Sequence, residues 1–409
     1  MRDDDVLAAV RALAPALRER AAEAEELRRL PDSSVEELEA TGFFRLLRPR
    51  AYGGLATDPA VFYAAVHEIA TACGSTGWAA SVLGVHPWYV ALLDARAQEE
   101  VWGTDGSARI CSSHAPTGEV TAVDGGFLLS GRWHFSAGCD HARWALLGGL
   151  VTDAEGRPVD MRTFLVPSAD YRVDDVWDTV GLRGSGSNDI VVEEAFVPAH
   201  RTLGYGPVTA LRCPGHDVNT EPLYRLPYAA VFTTAISTAM VGIAEGAHAH
   251  HVGAARESLR ASHGRRAAGD RLGKGRVAGD RPGRARAAED PFAQVRIARA
   301  AGDIDAARLQ LARNMADLYA VARDGAEIPT ALRARARRDQ VLATERAIGA
   351  VDLLMENAGG GPLLGAGSVL QRAWRDLRTG RGQAANDVER ALVLYAQDAL
   401  GMDVHDPML

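Results

Sequence analysis

Segment 129–138 (LSGRWHFSAG) contains side chains that could bind a flat ring. Its composition predicts a strand that carries aromatic residues and ends in a turn of small ones. A heteroaromatic ring could lie against Trp133 or Phe135, while Ser136 offers a hydroxyl and nearby N–H groups to its polar edge. The same pattern also fits an ordinary strand of a core sheet.

Histidines supply the candidate proton-handling groups. His86 precedes Pro87 and Trp88, and its imidazole titrates near working pH, which suits acid–base chemistry; the setting also fits a structural histidine. His134 and His141 flank the small-residue turn. Strand alternation points His134 away from the face that Trp133 and Phe135 share, so we predict structural roles for both histidines.

Metal, nicotinamide and hydrolase motifs are missing from the sequence. His248, His250 and His251 lack an i, i+4 pair, and four cysteines are widely spaced, so we expect neither a metal site nor a disulfide framework. No G-x-G-x-x-G fingerprint, Walker loop, G-x-S-x-G elbow or H-E-x-x-H helix occurs. We therefore expect no integral NAD(P)H domain.

Composition indicates an ordinary globular protein. The chain has 409 residues, of which 47% are hydrophobic, and a formal net charge of −8. That charge argues against a nucleic-acid surface and favours a small-molecule partner. The acidic N-terminus and the lack of a long apolar run predict no membrane span and a cytoplasmic location.

Hydrophobic periodicity divides the chain into three regions and predicts an α+β fold. Residues 1–108 are helical in pattern, 109–212 alternate with period two, and 213–409 return to helical spacing. Asp58 before Pro59 predicts a capped helix start. Within the last region, 262–289 is rich in Arg and Gly and predicts a solvated loop.

The middle region contains the clearest local signals. Residues 120–129, with Asp124-Gly125 at the centre, predict a β-hairpin with a type I′ turn. Further strands are predicted at 144–150, 162–166 and 190–196. In the last region, one long amphipathic helix is predicted from the spacing of its apolar residues: Ile297, Ile304, Leu309, Leu311, Met315 and Leu318.

Six segments, in register along essentially the whole chain, resemble the flavin monooxygenase branch of the acyl-CoA dehydrogenase superfamily. Besides 129–138, they are 74–88 (GSTGW and HPW), 110–113 (ICSS), 181–187 (GLRGSGS), 290–296 (DPFAQVR) and 371–377 (QRAWRDL). The branch includes oxygenases similar to 4-hydroxyphenylacetate and steroid-phenol hydroxylases. The resemblance implies an acyl-CoA dehydrogenase-like fold, with an N-terminal helical domain, a central β-barrel and a C-terminal four-helix bundle.

The same resemblance implies the oxygenase component of a two-component monooxygenase. Such an enzyme would receive reduced FAD or FMN from a separate NAD(P)H-dependent flavin reductase and use molecular oxygen. It would hydroxylate an aromatic or other electron-rich small molecule through a C4a-hydroperoxyflavin, in secondary metabolism or aromatic catabolism. It would assemble as a homotetramer.

The resemblance also assigns site residues. Flavin would lie between the central domain and the bundle, and its implied contacts are Ser112, Trp133, Phe135, Ser136, Ala137, Arg183, Gly184, Ser185, Phe292, Gln294, Arg296, Gly359 and Gly360. Of these, Phe292, Gln294 and Arg296 would reach the phosphate or ribityl end from a neighbouring subunit, where a guanidinium suits a phosphate. Substrate would meet His86, Trp88 and Trp374. Ser136 would hold the flavin edge during catalysis.

Residue 383 separates the possible reactions. Acyl-CoA dehydrogenases need a carboxylate base after the Arg-Asp pair, and segment 377–386 contains none. The oxygenase branch tends to have a histidine there, whereas this chain has Gln383, which hydrogen-bonds but cannot exchange a proton near neutral pH. Phenol hydroxylation by the usual route is thus in question. A base from another helix, amine N-oxygenation and a flavin-less structural relative stay open as alternatives.

Overall fold

The computed structural model describes residues 2–153, 155–269, 289–358, 365, 367–404 and 406. Its longer helices are α1 (Asp3–Glu19), α2 (Ala21–Leu27), α3 (Asp32–Thr41), α4 (Pro59–Ala72), α5 (Gly74–Val90), α6 (Ala95–Trp102), α7 (Tyr205–Thr209), α8 (Tyr228–Gly269), α9 (Pro291–Arg323), α10 (Thr330–Ala358), α11 (Val369–Gly380) and α12 (Val388–Ala399). The strands are β1 (Ile110–Val123), β2 (Gly126–Ser136), β3 (Trp144–Thr152), β4 (Pro158–Pro167), β5 (Arg172–Asp174), β6 (Asn188–Pro198) and β7 (Thr202–Gly204).

The N-terminal helices follow the predicted patterns. In α1, Val6, Val10 and Leu17 are buried on one face. Helix α4 begins as predicted, because the Asp58 side chain accepts a hydrogen bond from the Ala60 N–H and Pro59 occupies the first turn. Helix α5 is different, since its residues are buried all round between the other helices and the sheet.

The middle region forms a mixed sheet in the order β5-β6-β2-β1-β3-β4-β7. Strands β1 and β3 are parallel, and the other neighbours are antiparallel. No ladder joins β5 to β7 in the part of the chain that the structure describes, so the hydrogen bonding is that of an open sheet where a barrel was expected. The predicted strands at 144–150, 162–166 and 190–196 lie within β3, β4 and β6.

The hairpin between β1 and β2 is confirmed, but its turn type is not. Val123 pairs with Gly126, which leaves the predicted two-residue loop. Only Gly125 of this loop has a positive φ, of 75°. A type I′ turn needs positive φ at both central residues, and Asp124 keeps the ordinary region that its Cβ favours.

Helix α8 is the centre of the C-terminal region. It packs against α4 and α5 on one side and against α9, α10 and α11 on the other. Contrary to the expectation from sequence, one stretch, Tyr228–Ala261, is long and apolar enough to cross a membrane. In the fold, 89% of its most apolar window is buried inside the protein, as expected for a core helix.

The structure corrects the start of the predicted loop in the last region and the burial of one residue in its predicted helix. Helix α8 continues to Gly269, so the first residues of the predicted loop 262–289 are helical, and 270–288 lie outside the described residues. The predicted amphipathic helix is confirmed as α9, with Ile304, Leu311 and Met315 buried, but Leu309 is 58% exposed. Leu309 follows Arg308 and lies off the buried stripe.

The α4–α5 contact gives a test of the packing. A Cβ added at Gly77 would overlap the backbone of Ala70, so Gly77→Ala should lower the free energy of unfolding by about 1–3 kcal/mol. Gly302 in α9 is exposed with nothing near its Cβ position, so Gly302→Ala should raise it by up to about 1 kcal/mol. Urea unfolding of both variants measures the difference. Equal effects would contradict the proposed backbone approach.

Candidate active site

Helix α5 and strand β1 bring two histidines face to face. His86 lies in the buried helix and is 1% exposed. His114 lies on β1, two residues beyond Ser112 and therefore on the same strand face. The two imidazole centroids are 6.0 Å apart, with their planes 21° from parallel.

Aromatic rings surround this pair, and His114 is at their centre. Its ring centroid lies 5.3 Å from Tyr89, 5.3 Å from Tyr228 and 5.9 Å from Phe232. Tyr228 and Phe232 stack on one another, since they are four residues apart on one face of α8. We call these five residues, His86 included, the aromatic cage.

Burial disfavours the charged form of both imidazoles. It lowers the pKa of His86 to about 4, although the Val82 carbonyl beside it acts in the opposite direction. Burial and, to a lesser extent, nearby His86 together lower the pKa of His114 to about 3. Both Nε2 atoms are buried without a hydrogen-bond partner among the residues that the structure describes.

The tautomer of His86 follows from its other nitrogen. Nδ1 bonds to the Val82 carbonyl oxygen one helical turn earlier. A carbonyl oxygen can only accept, so Nδ1 carries the proton and donates it. His86 Nε2 therefore carries no proton and can accept a hydrogen bond.

A second feature lies at the end of β2. Phe135 has a φ of 65° and is 67% exposed, in edge contact with Trp177 at 5.8 Å. Val176 and Val180 on the adjoining loop are also exposed, at 49% and 67%. We call Phe135, Val176, Trp177 and Val180 the apolar patch, and its exposed side chains are of the kind that an aromatic cofactor ring could cover.

The patch and the cage are neighbours through α5. A Cβ on Gly138, at the end of the small-residue turn, would lie 2.8 Å from Leu83 Cδ1. Leu83 and His86 are three residues apart and so adjacent on the helix surface. Ala137, which is buried, and Ser112, which is 6% exposed, lie in the same region.

Two predictions for segment 129–138 do not fit the structure. Trp133 and Phe135 do not share a face: the register shifts between Trp133 and Ser136, and Trp133 is fully buried, with its indole N–H donated to the Gly148 oxygen at 2.7 Å. Trp133 is thus a core residue of the sheet with no surface for a ring. The bulge also explains why the Phe135 side chain turns outward whereas the Trp133 side chain does not.

Ser136 is buried as well. Its hydroxyl lies beside the Cys111 thiol and partly offsets the burial that raises the pKa of that thiol to about 12. The Ser136 side chain has no exposed surface in the described chain, and its contact to a flavin edge stays a prediction.

The loop around Arg183 is tied to α11. The Leu182 N–H donates to Asp376 Oδ1 at 2.6 Å, and Trp177 Nε1 donates to the Leu182 oxygen at 2.8 Å. Arg183 is held by Asp178 at 2.6 Å. Gly184 and Ser185 are buried, and a Cβ on Gly184 would lie 2.8 Å from the backbone of Ala24. The loop is therefore a fixed wall beside the patch.

Trp88 and Trp374, the other predicted substrate contacts, are not in the cage. The ring of Trp88 stacks against Tyr228, with the ring centroids 6.4 Å apart, and its indole N–H donates to the Leu223 oxygen. Trp374 on α11 donates to Asp352 at 2.9 Å, and no ring contact joins it to the cage within the described chain.

Gln383 has a local role. Its side-chain oxygen accepts from the Ala385 N–H and caps the short turn Ala384–Asn386. The half-buried amide thus serves the backbone next to α11.

The residues expected to reach a neighbour's flavin lie at the start of α9. Phe292 is 74% exposed, and Gln294 is exposed on a different side, because i and i+2 do not share a helix face. Arg296 binds Glu356 at 3.1 Å and Asn357 at 3.3 Å. Gly359 and Gly360 lie outside the described residues.

The remaining histidines make local contacts. His134 bonds to Asp189 at 2.8 Å on the exposed side of β2, and His141 bonds to the Leu30 oxygen at 3.0 Å. In the stretches that the structure describes, no cluster of three His, Cys, Asp or Glu side chains could hold a metal ion.

Sequence reasoning missed four members of the site: Tyr89, His114, Tyr228 and Phe232. His114 could have been found, because it follows segment 110–113 and alternates with Ser112. Tyr228 and Phe232 carry only an i, i+4 signal, which is common to core helices.

Comparisons with known proteins show the family to which the chain belongs. The family "Acyl-CoA dehydrogenase, N-terminal domain" matches residues 3–102, and "Acyl-CoA dehydrogenase, C-terminal domain" matches residues 234–387. The oxygenase subunit HsaA of a flavin-dependent monooxygenase from Rhodococcus jostii is 50% identical, over 97% of this chain and 99% of the relative. The oxygenase component of the FADH(2)-dependent resorcinol hydroxylase of a Rhizobium species is 34% identical, over 96% and 93%.

A solved structure extends the similarity to three dimensions. The crystal structure of 3-HSA hydroxylase from Rhodococcus sp. RHA1 has a TM-score of 0.91 and 49% identity, with 99% of each chain covered.

Phe135 allows stability and ligand binding to be separated. A non-glycine residue in the left-handed region costs about 1–2 kcal/mol, so Phe135→Gly should raise the free energy of unfolding by up to about 1 kcal/mol. The same change should weaken binding of reduced flavin, because it removes the exposed ring. Urea unfolding and anaerobic flavin titration measure the two effects.

Glu194→Gly is the matched control, since Glu194 is also exposed, with a φ of 51°. It should stabilise the protein and leave flavin affinity unchanged. Unchanged flavin affinity in Phe135→Gly would remove the patch from the cofactor site.

Asp376 predicts a pH effect. Burial raises its pKa from 3.8 to about 6, while the Leu182 N–H acts against this. The folded state therefore holds the proton more tightly than the unfolded chain, and stability is lost as pH rises from about 4 through about 6. Asp376→Asn should remove up to about 3 kcal/mol of that loss. Urea unfolding at several pH values tests this, with exposed Asp305→Asn as control; parallel pH profiles for Asp376→Asn and wild type would contradict it.

Proposed function

Because the chain belongs to the acyl-CoA dehydrogenase family, among the oxygenase components of two-component flavin-dependent monooxygenases, we propose that it hydroxylates a phenol whose ring lies in the aromatic cage. The enzyme uses reduced flavin and molecular oxygen, and oxygenase components of this kind depend on a separate flavin reductase. The relatives include a resorcinol hydroxylase and a p-hydroxyphenylacetate 3-hydroxylase, which supports a phenolic substrate here.

One observation carries the proposal: the buried Nε2 of His86. It is a neutral acceptor without a partner in the described chain, and an unpaired buried polar atom costs free energy. A phenolic hydroxyl would supply the missing donor, and the rings of Tyr89, Tyr228 and Phe232 would contact its ring. Activation of a phenol toward oxygenation needs its proton to be accepted, which is what this atom can do.

The apolar patch supports the place of the flavin. When bound, reduced flavin supplies the two electrons and activates oxygen. Phe135 would contact its ring system, and the loop held by Asp376 would border it. Gly138 packs on Leu83, one turn from His86, which supports a cofactor position beside the substrate. Dry walls around both would limit the loss of activated oxygen as peroxide.

The reaction balances with these groups. One atom of O₂ enters an aryl C–H bond next to the hydroxyl, giving a catechol, and the other leaves as water with two protons and two electrons from reduced flavin. His86 Nε2 accepts the phenolic proton during attack and returns it afterwards.

The alternatives lack comparable support. Dehydrogenation needs a carboxylate at the reacting carbon, and segment 377–386, where the family resemblance places one, contains none. The named relatives above act on phenols, which favours a phenol over an amine as substrate.

We further propose a cytoplasmic homotetramer, with Phe292 and its neighbours on α9 near the flavin of another subunit. The exposure of Phe292 and of Val295, at 74% and 51%, supports an interface there.

Matched substrates test the function. With a flavin reductase present, 2-naphthol should be converted to the dihydroxy product with little peroxide, because its hydroxyl donates to His86. The methyl ether, 2-methoxynaphthalene, should yield mainly peroxide. His86→Phe should lower the hydroxylation rate with 2-naphthol by roughly 100-fold while flavin oxidation continues. Product chromatography and a peroxide assay measure the split.

His200→Gln serves as control, since His200 pairs with Glu100 far along the chain from the cage residues, and should keep wild-type coupling. Equal hydroxylation of the naphthol and its ether would reject the role of His86. No oxygenation of any phenol tried would reject the proposed function.

A further inference from the structure

Position 383 cannot handle a proton in this chain. The family resemblance places a histidine there, but Gln383 has a non-titrating amide, and its oxygen already accepts the Ala385 N–H. The chemistry usually assigned to that position must be met elsewhere or be dispensed with.

The position of His114 suits the chemistry that Gln383 cannot perform. It contacts four rings of the cage, and its Nε2 is buried without a partner in the described residues. Tyr89 cannot compete for the substrate, because its hydroxyl donates to Thr163 at 2.8 Å. His86 and His114 therefore each present a buried Nε2 without a partner among the described residues.

The two imidazoles have complementary capacities. His86 is fixed as an acceptor by its bond to Val82, whereas no described hydrogen bond fixes the tautomer of His114. A phenolic oxygen needs one acceptor for its proton and one donor for its lone pair. A neutral imidazole with the proton on Nε2 supplies that donor.

We propose that His114 is a catalytic residue of this enzyme, donating a hydrogen bond from Nε2 to the substrate's phenolic oxygen while His86 accepts the phenolic proton. The inference rests on the proposed function and names the group that replaces a histidine at 383. The donor stabilises negative charge as it develops on the oxygen.

The test is the ionisation of a bound phenol, with no turnover. Full-length protein holding reduced flavin is titrated without oxygen with 4-nitrophenol, whose phenolate is coloured. Bound to wild type, the probe should show phenolate absorbance at a pH where the free probe is mostly protonated, because a phenolate formed beside His86 raises the pKa of that imidazole above its value in the empty cage. His114→Phe, which keeps a ring, should lose this absorbance and bind the probe roughly tenfold more weakly.

Amide variants show whether His114 acts as a hydrogen-bond donor or as a base. They also provide the test if His114→Phe does not fold. His114→Gln can place an N–H near the Nε2 position and should retain part of the phenolate signal, although an amide cannot titrate. His114→Asn reaches only to the Nδ1 position and should lose it. His141→Gln, at a histidine bonded to the Leu30 oxygen, should behave as wild type.

Several results would overturn the role of His114. These are an unchanged signal in His114→Phe or His114→Asn, no rescue by His114→Gln, or loss of the signal in Gln383→Ala alone. The outcome is separable from the proposed function: oxygenation of 2-naphthol without any phenolate signal rejects only the role of His114, and a phenolate signal without oxygenation of any phenol rejects only the reaction.

Discussion

Helices α4, α5 and α8 approach one another at glycines, and the positions of the cage residues follow from that approach. Gly77 of α5 lies against the backbone of Ala70, and a Cβ on Gly242 of α8 would lie 2.7 Å from Ala70 Cβ. Gly246 meets Thr71 one turn later. Larger side chains would hold the backbones apart. The contact brings the start of α8, with its two cage rings, onto α5 and β1.

Close packing also fixes the electrostatics of the site. Water is kept from His86 and His114, so the charged imidazolium forms are disfavoured and both rings stay neutral. The cost is two unpaired nitrogens in an apolar surrounding. A substrate that supplies the missing hydrogen bonds recovers that cost, which is a physical basis for selecting a hydroxylated ring over an apolar one.

Local backbone rules are broken where the proposed cofactor site lies. Phe135 and Leu182 both have positive φ, at 65° and 52°, although neither is glycine. Leu182 is held there by the buried carboxylate of Asp376, and Phe135 by the bulge next to Ser136. Such strain persists only when surrounding structure enforces it.

The sequence alone determined the class of fold and the order of its regions, because these follow from hydrophobic periodicity. The kind of enzyme was implied by the resemblance of six segments to a known family. The sequence also singled out His86, and the Asp58 cap and the hairpin at 124–125 were readable because their signals are local. Side-chain direction at the end of β2 was not readable. Alternation placed Trp133 and Phe135 together, and one bulge separated them.

Only the tertiary structure decided which side chains meet. His114 comes from a strand, Tyr89 from α5 and Phe232 from α8, and no spacing in the sequence relates them. Protonation was decided in the same way, since an imidazole in water is half-charged near neutral pH and becomes neutral only when helices from distant parts of the chain exclude the water.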